Sequence, residues 1–417
     1  MRLLLLLLLA LLSAPAWAQT IAITNARLID GTRDEAGVTI VISGGKVESI
    51  ASGGAAPAGA RTIDAGGQPV TSTLFAAATQ IGLVGLGGAP DTDDRGVTSG
   101  PLGAAFDVSR AVDPNALTIQ EARAQGVSRA MIFPNAGNGV FAGTGALLHL
   151  DPGPDPVRKA RAAMFASGDG KEAGGSRGAV WTLIRNALDE AKRPAGTGNA
   201  PRDDLLNPVD IAALQPVVAG RMPLAIAVNR EADIRQAAAI AADYGIRVVI
   251  IGGAEAWRAA DLLAARGIAV ILDPLDELPF SYAVVGARRD NAALLAKAGV
   301  PIAFMVSGQG IYLSWDVGPA LREGAGIAVA NGLPYSDALQ AITTAPARIW
   351  TGASTPALAP GAQADLVIWD GDPLEPSSAP AHVIIGGREI SLETRQTLLR
   401  DRYHPGRRND PLPPGYR

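Results

Sequence analysis

The side chains able to hold a transition metal or move a proton near neutral pH are few. The chain has three histidines, His149, His382 and His404, and no cysteine. A thiolate nucleophile, an iron–sulfur cluster and a zinc–cysteine centre are therefore excluded. Three imidazoles spread along the chain are also a poor supply for a site that takes three or four converging ligands. His149 lies in the apolar run from Ala146 to Asp151, a setting that favours a structural or edge position over catalysis. It is the only histidine between residues 74 and 350, so any Ser/His/Asp set there would need it as base. The run Asp91-Thr92-Asp93-Asp94 offers oxygen ligands for calcium or magnesium, or is a solvated loop. Glu255 follows a strand end at a helix start, where a carboxylate either complements the helix dipole or faces a ligand. Asn229-Arg230 and Ser307 stand at equivalent strand ends. They either line a polar pocket or finish hydrogen bonds at a rim. Ser176 reads as a helix cap. The glycine-rich stretch Asn135 to Gly145 fits neither phosphate-binding glycine pattern.

The elements that must position these groups follow from periodicity. The chain has 417 residues, 48% hydrophobic and 18% charged, with a net charge of −4. It can bury a large core, and it lacks the basic face of a general nucleic-acid binder. Short alternating segments at 21–24, 26–29, 38–42 and 46–50, bounded by Gly and Asp turns, predict strands and hairpins. From 224 to 350 strands and helices alternate: strands at 224–228, 246–251, 268–272 and 300–305, with helices at 231–244, 254–266 and 290–298. Such alternation means parallel βαβ units. Helices follow at about 318–330 and 336–345. Between 74 and 223 the pattern is weaker, with a strand at 127–133, a glycine-rich loop, a helix at 179–192 and a surface loop at 193–208. Strands return at 365–369, 382–385 and 388–390.

The first residues, Met1-Arg2 followed by nine leucines and one alanine and then Ala16-Trp17-Ala18, form a cationic start, an apolar run and an Ala-x-Ala site. This is the pattern of a secretory signal peptide; the apolar run is too short to span a bilayer. Residues 1–18 are the expected leader, and the mature chain is expected outside the cytoplasmic membrane, with no membrane span after cleavage.

An N-terminal strand set, a βα body and a C-terminal strand set resemble the amidohydrolase superfamily, in particular its imidazolonepropionase-like exported members. The resemblance rests on Thr24-Asn25-Ala26-Arg27-Leu28-Ile29-Asp30-Gly31, Ser43-Gly44-Gly45-Lys46-Val47, Thr62-Ile63-Asp64-Ala65-Gly66-Gly67, Pro360-Gly361-Ala362-Gln363-Ala364-Asp365-Leu366-Val367 and Gly371-Asp372-Pro373-Leu374, in this order. It implies an α/β fold: a distorted (β/α)8 TIM barrel over 74–350 and a composite β-sandwich domain from 19–73 and 351–404, with an irregular tail over 405–417. It also implies a site at the C-terminal ends of the barrel strands and metal-dependent hydrolysis of a non-peptide C–N bond.

The family's metal ligands are missing. Its first barrel strand ends in a His-x-His pair; here Ala78 and Gln80 occupy those positions. The fifth strand has Ala227 at its histidine, the sixth ends Gly252-Gly253-Ala254-Glu255 without one, and the eighth ends in Ser307 where an aspartate is usual. The bridging lysine has no clear match among Lys159, Lys171, Lys192 and Lys297. No cofactor is expected, zinc entering only under a different register. Catalytic residues are not identified; Asn229 and Glu255 are the candidate pocket residues. Three readings stay open: a non-catalytic or accessory member beside an active amidohydrolase relative, a hydrolase with an unrecognised site, and an exported binding protein for a small molecule. Intact-mass analysis of exported protein is expected to give a chain starting at Gln19; retention of Met1 would reject the leader.

Overall fold

The computed structural model describes residues 20–85, 92–137, 139–193, 205–276, 278, 281–306, 315–353 and 358–404. The leader, Ser307, Asp91 and the 405–417 tail lie outside them. Two eight-stranded sheets organise the fold. The first contains β1 (Ile21–Ile29), β2 (Asp34–Ser43), β3 (Lys46–Ser52), β4 (Arg61–Asp64), β5 (Pro69–Ser72), β14 (Leu366–Trp369), β15 (Pro380–Ile385) and β16 (Arg388–Ile390). Its order is β16-β15-β14-β5-β1-β2-β3, with β4 also paired to β1. Neither terminal set has enough strands to bury an apolar face alone. The junction is β14 on β5, antiparallel, with Leu366 opposite Ser72. Ile23, Leu28, Ile40, Ile42, Leu366 and Ile384 form one core from both ends of the chain.

Two hairpin turns of this sheet meet where only glycine fits. Gly387 has a φ of 74°, and a Cβ there would lie 2.5 Å from the Cα of Gly45. Glycine accepts both the left-handed backbone and the close approach.

The second sheet contains β6 (Leu74–Thr79), β7 (Val127–Ile132), β8 (Phe141–His149), β9 (Val157–Ser167), β10 (Leu224–Val228), β11 (Val248–Gly252), β12 (Ala269–Leu272) and β13 (Ile302–Phe304). They follow one another in chain order, and β13 returns beside β6 to give a nearly closed barrel. From β9 to β13 the strands are parallel. The distortion is at β8, which is antiparallel to both β7 and β9. A hairpin thus stands where a helical crossover is expected, and the stretch read as a loop to Gly145 enters β8 at Phe141. The misreading has a physical cause. Every residue of β8 is buried, so no alternation marks it, and Gly143 and Gly145 imitate a loop. Gly143 is required: its φ is 124° and an added Cβ would meet the Phe106 carbonyl oxygen at 2.6 Å. The expected surface loop 193–208 falls mostly on residues outside those described; at its end Asn207 caps the helix Pro208–Val218 by accepting from the Asp210 N–H at 2.9 Å.

Among the described residues no helix is long and apolar enough to cross a membrane.

His149 joins the two sheets. It is buried, and its Nε2 lies 3.0 Å from Asp365 Oδ2. The same oxygen accepts from Arg129 Nη2 at 2.9 Å, and Asp365 Oδ1 accepts from the Gly386 N–H at 2.8 Å. His149 Nδ1 lies 3.3 Å from Asp151 Oδ1 but makes no hydrogen bond. Burial raises the Asp365 carboxyl pKa, but the His149 hydrogen bond, the His149 and Arg129 charges and the Gly386 N–H together hold it below the usual carboxylate range. This carboxylate therefore adds stability that is full above the ordinary carboxylate pKa and is lost as pH falls through its lowered folded value. Asp365→Ala is expected to cost about 3 kcal/mol at pH 7, the lower end for a broken buried pair because Arg129 reaches solvent. Urea denaturation should show the gap from wild type closing as pH drops below 4; a gap independent of pH would reject this account.

Candidate functional site

The barrel interior is apolar. Along β10, Leu224, Ile226 and Val228 pack outward in the larger core, whereas Ala225 faces inward with Val249, Ile251, Ile271, Ala303 and Met305. Ala78 belongs to this inner cluster and is 1% exposed. The β6–β7 register shifts between Ala76 and Thr79, a bulge that lets Ala77 and Ala78 both pack inside. Phe133, Phe165 and Trp350 stack through the interior, with ring centroids 5.5 and 5.9 Å apart. Trp350 enters from the end where the strands begin: Arg247, just before β11, donates to the carbonyls of Ile349 and Trp350. The indole donates to the Ala77 carbonyl at 2.8 Å.

Gln80 is fully buried at the end of β6. Both ends of its amide are engaged. Its Nε2 donates to Asn135 Oδ1 at 2.5 Å, and its Oε1 accepts from Arg95 Nη1 at 3.1 Å. Asp93 grips Arg95 with bonds of 2.7 and 2.6 Å from Nε and Nη2, and this pairing lowers the Asp93 carboxyl pKa. The Asn135 N–H donates to the Arg95 carbonyl at 2.8 Å, tying the β6 and β7 loops together over the barrel end. The acidic loop that offered calcium ligands thus commits Asp93 to an arginine, whose role no sequence spacing announced.

Two further positions were expected to match the family's ligands. Ala227 is exposed at the end of β10, and Ser307 lies outside the described residues. Lys159, Lys171, Lys192 and Lys297 are all exposed. Among the described residues no group of three or more His, Cys, Asp or Glu side chains converges on one point. Methyl groups and an amide already bonded to a guanidinium do not fit a transition metal, whose ligands must converge within about 2.0–2.3 Å.

At the strand ends of β9 to β13 lies a cavity of about 330 Å³. Ile251, Leu272, Met305 and the Ala227 methyl give it an apolar side. Asn229 lines it as expected. Its Oδ1 accepts from the Ala254 N–H at 3.3 Å, and its Nδ2 hydrogens have no protein partner. Glu255 does not line this cavity. Its Oε2 accepts from the Glu231 N–H at 2.8 Å, capping the helix Glu231–Tyr244, whose own N-cap residue Arg230 makes no side-chain cap bond.

Two pocket residues escaped the sequence reading. Asp276 follows β12, lines the cavity and has no side-chain hydrogen bond; burial raises its pKa. Arg288 is fixed by a bidentate pair with Asp290, at 2.7 and 2.6 Å, and by the face of Trp257, 4.7 Å from its ring centroid, leaving Nη1 uncommitted. Both sit in an irregular connection between β12 and the helix Asn291–Lys297, where no period marks which side chains turn inward.

Residues 229–390 match the model of the amidohydrolase family. Among solved structures, an amidohydrolase from Thermotoga maritima MSB8 is 24% identical with a TM-score of 0.77, covering 89% of this chain and 99% of that one. The N-isopropylammelide isopropylaminohydrolase from Burkholderia multivorans is 14% identical with a TM-score of 0.55, over 89% and 98%. A prolidase complexed with N-methylphosphonate-L-proline is 17% identical with a TM-score of 0.54, over 89% and 100%. These likenesses establish the fold. No curated protein matches the chain significantly.

Removing the Glu255 carboxylate should act on stability rather than on the cavity. Glu255→Ala is expected to cost about 1 kcal/mol, as lost caps do, and Glu255→Gln, which keeps an acceptor, much less. Thermal melts of the two variants check this; equal losses would reject the capping role.

Proposed function

We propose that this amidohydrolase-superfamily protein is an exported, non-catalytic member that keeps the fold and a small-molecule pocket without the superfamily's metal-dependent hydrolysis. One observation carries the reading. The described coordinating positions hold two alanines and a glutamine, and both ends of the glutamine amide are bonded, one of them to the cation Arg95. A divalent metal placed there would lack donors and would meet a resident guanidinium.

The superfamily by itself implies hydrolysis of a non-peptide C–N bond, and the similar structures include a prolidase and an isopropylaminohydrolase. A hydrolase with an unrecognised site is the second reading, favoured by Asp276: a half-buried carboxyl whose pKa is raised by burial is suited to acid or base work. An accessory role implies an active amidohydrolase relative as partner.

The purified mature protein is expected to hold less than about one-tenth equivalent of zinc, iron or manganese by elemental analysis, since a zinc site needs three or four ligands. Ala78→His combined with Gln80→His should not restore tight binding, because the fifth- and sixth-strand ligands remain absent. A panel of N-acyl amino acids and small lactams should go unhydrolysed. Stoichiometric metal after dialysis, lost on chelation together with a hydrolytic activity, would overturn the proposal.

A further inference from the structure

We propose that the cavity at the ends of β9 to β13 binds a free zwitterionic amino acid with an aliphatic side chain. This rests on the small-molecule pocket of the preceding reading and names its ligand class. Besides the exposed Asp169, whose second carboxylate oxygen has no protein partner, three polar groups lining the cavity keep bonding capacity that the protein does not use. They are the Asp276 carboxyl, the Asn229 amide hydrogens and Arg288 Nη1. The other polar groups there are engaged: Arg289 has a partner within the protein, and Ser167 Oγ accepts from the Asp169 N–H. Asn291 donates to the Gly253 carbonyl and accepts from the Trp257 N–H. Asp169 accepts from the Lys171 N–H, and Asp273 from the Leu275 N–H.

Each free group selects a ligand feature. Asp276 can only accept when ionised, so it takes an ammonium. Arg288 and Asn229 can only donate there, so they take a carboxylate. Arg288 is held in place by Asp290 and Trp257 before any ligand arrives, which reduces the ordering cost of binding. Ile251, Leu272 and Met305 provide the apolar side for an unbranched or branched aliphatic chain. A cavity of about 330 Å³ stands at the small end of the roughly 300–1,000 Å³ of ligand sites. Asp276 and Arg288 line this one cavity. An isolated cation would meet the arginine, and an isolated anion the acid, so a ligand carrying both charges suits the wall best.

Isothermal titration of the mature protein with L-leucine, N-acetyl-L-leucine and L-leucinamide tests this. Leucine should bind, and each blocked analogue should bind at least about tenfold more weakly, the loss expected for one charged hydrogen bond. Asp276→Asn, which keeps shape but removes the charge, should weaken leucine binding by a similar factor. Arg288→Gln should do the same, with a thermal melt checking that its Asp290 and Trp257 contacts were not needed for folding. Binding of N-acetyl-leucine as tight as that of leucine, or no leucine binding at millimolar concentration, overturns the assignment. Release of leucine from N-acetyl-leucine overturns the non-catalytic reading instead, and direct titration with leucine still decides the ligand class.

Discussion

Asp365 is the buried charge on which the two halves of the molecule depend. A carboxylate that is 3% exposed is tolerable only if its lone pairs are filled. Its partners come from three places: Arg129 on β7, His149 on β8 and the Gly386 N–H between β15 and β16. The terminal sheet cannot turn against the barrel without unpairing at least one of them. The same residue begins the strand that closes the sheet onto β5, so sheet closure and docking on the barrel are fixed at one point. A fold assembled from distant chain ends needs such an anchor, because the loop-closure entropy of the long segment between Ser72 and Leu366 must be offset where the ends meet.

With the sheet docked, the barrel is free to pack its interior as a core. It does so with alanines, aliphatic side chains and an aromatic column, and Trp350 closes the end nearest the strand starts. Packing of this kind strengthens the scaffold and leaves no polar ring on the axis. The one polar side chain at the first-strand end, Gln80, is absorbed into a chain of bonds running from Asp93 through Arg95 to Asn135. A buried amide is costly unless both its ends are bonded, and here both are. The electrostatic result is a salt-bridged guanidinium at the first-strand end, with open bonding capacity in the β9–β13 cavity.

The amidohydrolase likeness is one of fold, shared across nearly the whole chain, while the family model covers residues 229–390. Such a likeness speaks for the scaffold, since function resides in the side chains that the strand ends present.

Much of the architecture was legible in the residues. The alternation of apolar runs after 224 gave β10 and the helix Glu231–Tyr244 at their observed limits, because those strands are parallel, doubly covered and separated by glycine-capped helices. The β8–β9 hairpin was not legible, because a strand buried on both faces shows no period and its glycines mimic a turn. Nor could the sequence say that Arg95 reaches Gln80, that Glu255 caps a helix 24 residues earlier, or that Asp276 and Arg288 share a cavity. Those are distances between side chains on different loops, fixed only when the barrel brings its strand ends together. Residue type determined how few histidines and cysteines this chain carries; tertiary packing decided which groups are left with something still to bind.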